Sequence, residues 1–400
     1  MVTVVRGVVK DYGWGIVDGL APWCGGATGL PQAELWFGAH SSGPSPIVGS
    51  SGQTHAAHLG VLFDSREVPL LVKLLAAGQP LSVQVHPKAD LARRRWHDQQ
   101  SAGAPQILAD ANEKTELLVA IEPFEAFVGW RPVGEAAAVL ARIPSAAAAA
   151  ELLMAGDRIA AIRSLLAADG LAEAVALLPQ ASVDAGLPAI ECSAYETVAT
   201  TYPGDRGALL TALLAHVSLD IGSAIYVPAG VPHSYIRGLG LEVMTTSDNV
   251  LRLGLTPKPI FADEAIEALD LDSVPQVLRR VIGETIAPQG APFEALLGRG
   301  LTGAGAAVDA DAVAVAGADV DADADADAAA NSADARQELA ALEILRGGRF
   351  RLCLAIEGTA TVTTDAGSVV LSPGSAAVIS REESAARVSS SGLVALVTDC

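Results

Sequence analysis

The chain has 400 residues, half of them hydrophobic, with 26 Lys and Arg against 46 Asp and Glu and a formal net charge of −20. Such a length supports two or three domains that bury about three quarters of the extended surface, which excludes disorder as the main state. The negative charge repels phosphate backbones and excludes a general nucleic-acid binder.

Four cysteines, Cys24, Cys192, Cys353 and Cys400, are scattered with no C-x-x-C pair. Neither a thiolate metal site nor a redox couple is indicated, and a cytoplasmic location is expected. The first ten residues carry Arg6 and Lys10 inside a short apolar run with no small-residue cleavage site after it, so no secretory leader is expected. Uncharged stretches such as 36–63 are broken by Gly, Pro and Ser too often for a spanning helix of about 20 apolar residues, and no membrane partner is expected.

From residue 2 to about 130, short β-rich runs such as PLLVKLL, LSVQVHP and ELLVAIEPFEAFVGW alternate with turn residues and read as strands. After Arg131 the texture turns to Ala and Leu at helical spacing, for example Ile159, Ile162 and Leu166, and a helix-to-strand segment is expected from Gly207. Strand texture resumes at 221–235 and 242–246. The tract 303–335 holds eight aspartates among small residues with no Lys, Arg or Glu, and reads as a solvated linker. Beyond it, alternating runs and Gly turns read as a small β barrel or sandwich. The expected fold is therefore mainly β with an α insertion. Its parts are a discontinuous β region at 1–130 and 201–300, a helical insertion at 131–200, the linker at 303–335 and a C-terminal β module at 336–400.

Three segments carry the chemistry. In LSVQVHP, strand parity puts Ser82, Gln84 and His86 on one face and Val83 and Val85 on the other. Lys114 and Glu116 share a face as the chain enters the apolar run 117–121, and a carboxylate there needs a partner. His233 and Tyr235 follow a P-A-G-V-P turn, again two apart. Together Gln84, His86, Glu116 and His233 offer two imidazoles, one carboxylate and one amide oxygen. That donor set suits Zn²⁺, and less selectively Mn²⁺ or Fe²⁺, leaving the ion enough charge to act as a Lewis acid. The aromatic pairs Tyr12 with Trp14 and Trp36 with Phe37 are expected to serve the core.

The chain resembles the type I mannose-6-phosphate isomerases. The resemblance lies in K-D-Y-G-W-G at 10–15, A-E-L-W-F-G-A-H at 33–40, the lysine of P-L-L-V-K-L-L (Lys73), S-V-Q-V-H-P at 82–87 and K-x-E at 114–116. The long run P-A-G-V-P-H-S-Y-I-x-G-L-G-L-E-V-M-x-x-S-D-N-V-L-R-x-G-L-T-P-K at 228–258 is the most specific match. Thr115 stands where the family commonly has proline. The resemblance implies cupin-type β barrels with a helical insertion. It also implies one Zn²⁺ per chain on Gln84, His86, Glu116 and His233, a catalytic Arg252, and a substrate site lined by Lys73, Ser82, Lys114, Tyr235, Glu242 and Lys258. The implied reaction interconverts mannose 6-phosphate and fructose 6-phosphate, with a small sugar phosphate as partner and a monomer as a workable state. A non-catalytic cupin that senses a sugar phosphate is the alternative; it would keep the metal but have no need of Arg252. The base stays open among Glu242, a metal-bound water and a lysine of lowered pKa.

Overall fold

A computed structural model describes residues 1–49, 54–64, 66–101, 103–279, 281–303 and 326–400. The chain is mostly sheet, with most of its helices gathered between residues 133 and 210 and others at Ala89–Asp98, Ala262–Ala268 and Ala326–Ile344. The larger sheet has 11 strands and runs from Gln276–Leu278 at one edge through Ala224–Val227, Glu116–Ala120, His233–Thr245, Leu70–Ala77 and Glu34–Phe37 to Val8–Lys10. The strands Phe124–Trp130, Leu214–Leu219, Val83–Val85 and Leu251–Gly254 join it off that path. No closed barrel is seen among the described ladders.

The 13-residue strand His233–Thr245 organises the sheet. Its first half pairs with Phe124–Trp130 and Val83–Val85, and its second half with Glu116–Ala120 and Leu70–Ala77. Period-two alternation then sorts the side chains. Leu35, Phe37, Val72, Leu74, Leu117, Val119, Leu241 and Val243 point into one apolar core. Their chain neighbours Glu34, Trp36, Lys73, Glu116 and Glu242 face a cavity on the other side. A one-residue slip in any of these strands would exchange the charged set with the core set, so burial of the apolar face fixes the register.

The helices Val133–Leu140, Ala147–Met154, Arg158–Leu166, Leu171–Asp184, Ala189–Thr201 and Arg206–Leu210 extend beyond the expected boundary at residue 200. Their buried Leu140, Leu153, Ile162, Leu165, Val175 and Leu178 pack with Val83, Val85, Phe127 and Leu251, backing the strands that carry Ser82, Gln84 and Arg252. The segment from Gly207 is helix, then strand Leu214–Leu219. Among the described residues no helix is long and apolar enough to cross a membrane.

An 8-stranded sheet carries the C-terminal strands Arg351–Ala355, Ser375–Ile379 and Leu393–Asp399 together with Val2–Arg6, Pro46–Val48 and Phe293–Arg299. The expected division differs here, because the first strand and the strand near residue 295 belong with the C-terminal part. Alternation reveals that a segment is a strand but not which partner it pairs with. Of the acidic tract, 304–325 lies outside the described residues. From Ala326 the chain is helical to Ile344 rather than an extended tether up to residue 335. Alanine is the best helix former, and Ala341, Ile344 and Leu345 bury against Leu296, Cys353 and Leu396.

Candidate metal centre and active site

Three side chains converge where the strands carrying them meet. His86, Glu116 and His233 are each at most 1% exposed, and one donor atom from each lies within 4.8 Å of the others. His86 Nε2 is 3.2 Å from Glu116 Oε1, and His233 Nε2 is 3.3 Å from Glu116 Oε2. Each ring turns its other nitrogen to a backbone carbonyl: His86 Nδ1 lies 2.7 Å from Asn249 O, and His233 Nδ1 lies 3.1 Å from Val231 O. A carbonyl can only accept, so the ring proton is assigned to Nδ1 and both Nε2 lone pairs point at the same place. The His86 Nε2 atom is buried with no hydrogen-bond partner. Burial, reinforced by the nearby Lys114 ammonium and opposed by Glu116, pushes the His86 ring down to about 4, so at neutral pH it carries no charge. Two neutral imidazoles, one carboxylate and one orphaned lone pair fit a divalent metal ion.

Gln84 is brought beside the group by register. It sits opposite His233 on one side and Arg252 on the other. Its amide nitrogen is 3.1 Å from His233 Nε2, and Ser82 Oγ donates to its oxygen at 2.8 Å.

Charged pairs surround this centre. Lys114 Nζ is 2.5 Å from Glu116 Oε1, and the Tyr235 hydroxyl donates to Glu116 Oε2 at 3.4 Å. Burial would raise the Glu116 carboxyl, but Lys114 and the two histidines hold it well below the usual range. Lys73, in a fully buried strand, sits 2.8 Å from Glu242 Oε2 and 3.6 Å from Glu34 Oε1. Burial works against its charge, and the two carboxylates more than offset that, keeping Lys73 protonated. Buried charges of this kind persist only when paired.

A cavity of about 640 Å³ opens in front of these groups. Of the residues expected from the sequence, Gln84, Glu116, Arg252, Lys73, Ser82, Lys114, Tyr235, Glu242 and Lys258 line it; His86 and His233 sit behind the wall. Among the described residues, neither Arg252 nor Lys258 has an ion pair within 4 Å, unlike Lys73 and Lys114. Among the described residues the one side-chain hydrogen bond of Arg252 goes to the Val250 carbonyl, at 3.3 Å, and burial draws its guanidinium below its ordinary value against the opposing pull of Asp248. Carboxylates therefore offset the charge of these two cations only from a distance and not in a contact pair.

The aromatics serve core and cavity together. Phe37 is core, Trp36 is buried with Leu71 and Met244, and Trp14 packs against another apolar cluster, while Tyr12, Trp14 and Trp36 also line the cavity. Tyr12 stacks on Trp14 at 5.7 Å, and Lys258 Nζ lies 5.2 Å above the Tyr12 ring. A signal for this exists in the sequence, since K-D-Y-G-W-G is a Gly-punctuated turn and not an apolar strand. Tyr202 and Asp248 also line the cavity; nothing in the sequence around Tyr202 marks it for that, whereas Asp248 lies within the run 228–258.

Fold and site together define a mainly β protein with a buried cluster of two histidines and a glutamate beside a polar cavity. Residues 4–133 match the family model described as phosphomannose isomerase type I, catalytic domain. The mannose-6-phosphate isomerase of Salmonella typhimurium is 32% identical over 290 residues, covering 67% of this chain and 74% of the relative. That of Homo sapiens is 30% identical over 305 residues, covering 65% and 71%. A crystal structure of mannose 6-phosphate isomerase bound with zinc and yttrium superposes with a TM-score of 0.74 at 26% identity, over 100% of this chain and 99% of the other. The chain belongs to the mannose-6-phosphate isomerase family.

Proposed function

We infer that the protein is a metal-dependent aldose-ketose isomerase that interconverts mannose 6-phosphate and fructose 6-phosphate by moving a proton between C1 and C2. The observation that carries this reading is the convergence of two imidazole lone pairs and a carboxylate beside an unpaired guanidinium in one cavity. Gln84, through its amide oxygen, with His86, Glu116 and His233 would hold one Zn²⁺, the ion that fits this donor set best and that the superposed relative contains. Bound there, the ion would polarise the substrate's oxygens as a Lewis acid.

The chain's own residues divide the remaining work. Arg252 offers two parallel N–H donors to the pair of oxygens that gather negative charge between aldose and ketose. Lys258, unpaired at the cavity wall, is the cation for the phosphate, with Ser82 as a neutral donor. Lys73 is held protonated and cannot act as base. Glu242, in the cavity wall with its carboxyl raised by burial against the opposing pull of Lys73, is the group we assign to carry the proton. The polar-faced strands around the cavity are read as a cupin-type arrangement. The four cysteines are free, which suits a reducing compartment such as the cytoplasm.

The test is to incubate metal-loaded protein with mannose 6-phosphate deuterated at C2, without oxygen. Fructose 6-phosphate should form with the label moved to C1 or lost to water. Absence of the ketose product would end this reading.

A further inference from the structure

The turn that follows the helical stretch touches two adjoining segments of the cavity lining. Tyr202, just after helix Ala189–Thr201, lines the cavity, and its hydroxyl donates to the Pro80 carbonyl at 2.8 Å. Pro80 leads straight into Leu81, Ser82 and Gln84 on one wall. Three residues after Tyr202, Asp205 Oδ1 accepts from the backbone N–H of Leu255 at 3.0 Å and from that of Gly207 at 2.7 Å. Leu255 begins the adjoining segment of the lining, since Gly254 before it pairs with Val83, and that segment continues through Thr256 and Pro257 to Lys258.

Leu255 has φ of 55°. A bulky side chain seldom occupies that left-handed region, and it stays there only when its surroundings hold it. The hydrogen bond from its N–H to Asp205 is one restraint. Direct backbone contact is the other: a Cβ on Gly207 would lie 2.6 Å from Gly254 Cα and from Leu255 N. Only the absence of a side chain lets the two segments approach so closely.

We propose that Asp205 and Tyr202 are positioning residues for the substrate cavity. Asp205 holds the 255–258 segment in the conformation that places Lys258, and Tyr202 fixes the 80–84 segment beside it. The helical part thereby orders this side of the cavity without supplying a reacting group. The effect on substrate rests on the reading above, in which Lys258 meets the phosphate. Asp205→Ala removes the acceptor for the Leu255 N–H and frees the wall to relax. KM for mannose 6-phosphate should rise about tenfold while kcat stays within about threefold, because the loss falls on binding and not on the reacting atoms. Asp205→Asn keeps an oxygen acceptor and should restore most of the affinity. Tyr202→Phe keeps the ring in the cavity and should raise KM by about threefold, the worth of one hydrogen bond.

The decisive experiment combines steady-state kinetics on the three metal-loaded, full-length variants with amide hydrogen exchange of peptides covering residues 251–260. Faster exchange there in Asp205→Ala, but not in Asp205→Asn, together with the KM pattern, supports the proposal. An Asp205→Ala protein with unchanged KM and unchanged exchange reduces Asp205 to a cap of the short helix that follows and overturns it. Should Asp205→Ala fail to fold, a wild-type KM in Tyr202→Phe overturns it as well. The exchange result is independent of turnover. If the wild-type chain does not isomerise mannose 6-phosphate yet exchange responds as stated, the isomerase reading falls and the positioning contact stands.

Discussion

His86 and His233 each commit one ring nitrogen to a backbone carbonyl, and that single choice decides what the other nitrogen can do. With Nδ1 protonated, both rings are preset as metal donors before any ion arrives, and neither ring has to reorient on binding. Replacing His233 by Ala should therefore lower metal affinity by at least about a hundredfold and activity in parallel. Metal content after dialysis against a weak chelator, measured beside turnover, checks this; full occupancy at full rate would remove His233 from the site. Arg252 is a different kind of residue, since among the described residues its side chain is in no ion pair and its one side-chain hydrogen bond goes to the Val250 carbonyl. Arg252→Ala should leave folding and metal content nearly unchanged and cost on the order of 10² in kcat, as for loss of an oxyanion donor. Arg252→Lys should recover only part, because a point charge replaces a two-pronged donor. Should kinetics on metal-verified protein instead give a normal kcat and a raised KM, Arg252 would be a phosphate holder.

At the scale of strands and helices, the legible part of the site was the part governed by parity. Ser82, Gln84 and His86 alternate with Val83 and Val85, and the structure sends the valines to the core behind the strand and Ser82 and Gln84 to the cavity. What parity cannot supply is register between strands distant in sequence. That Gln84 lies between His233 and Arg252 depends on a bulged pairing with Leu251–Gly254, which no local pattern encodes. Tyr202 and Asp205 escaped notice for the same reason, their partners Pro80 and Leu255 being remote in the chain. Close backbone contact gives a test at this scale. A Cβ on Gly254 would come within 2.3 Å of Gly207 Cα, so Gly254→Ala should destabilise the protein by about 1–3 kcal/mol, as overpacking does. Gly134 sits in helix Val133–Leu140, and a Cβ added there would meet nothing within 4 Å. Gly134→Ala should accordingly stabilise by about 0.5–1 kcal/mol. Urea midpoints of the two variants should move in opposite directions.

Across the whole molecule, the first strand and the last strands share one sheet. Val2–Arg6 pairs residue by residue with Ser375–Ile379, and Phe293–Arg299 pairs along its length with Leu393–Asp399. One apolar core then joins both large sheets: Val72, Leu74, Leu117, Val119 and Val243 from the site-bearing sheet bury with Val5, Phe293, Leu352, Leu354, Val378 and Val397 from the other. The buried Arg351 knots the same region, donating to the carbonyls of Leu345, Arg349, Ser380, Glu383 and Ser384. A separable C-terminal module would leave the rest of the chain folded when removed, whereas a shared core forbids it. Ending the chain at residue 300 would expose at least five fully buried large side chains on the remaining half, at about 1.5–3 kcal/mol each, and leave Val2–Arg6 without its long partner. That sum reaches or exceeds the net stability of about 5–15 kcal/mol typical of a folded protein. The truncated chain should be insoluble or lack a cooperative thermal transition, and the full chain should unfold in one transition that carries the C-terminal strands with it. Calorimetry of the full chain and solubility of the truncation check this together. A soluble truncation that binds metal and turns over substrate would show that the shared core is dispensable.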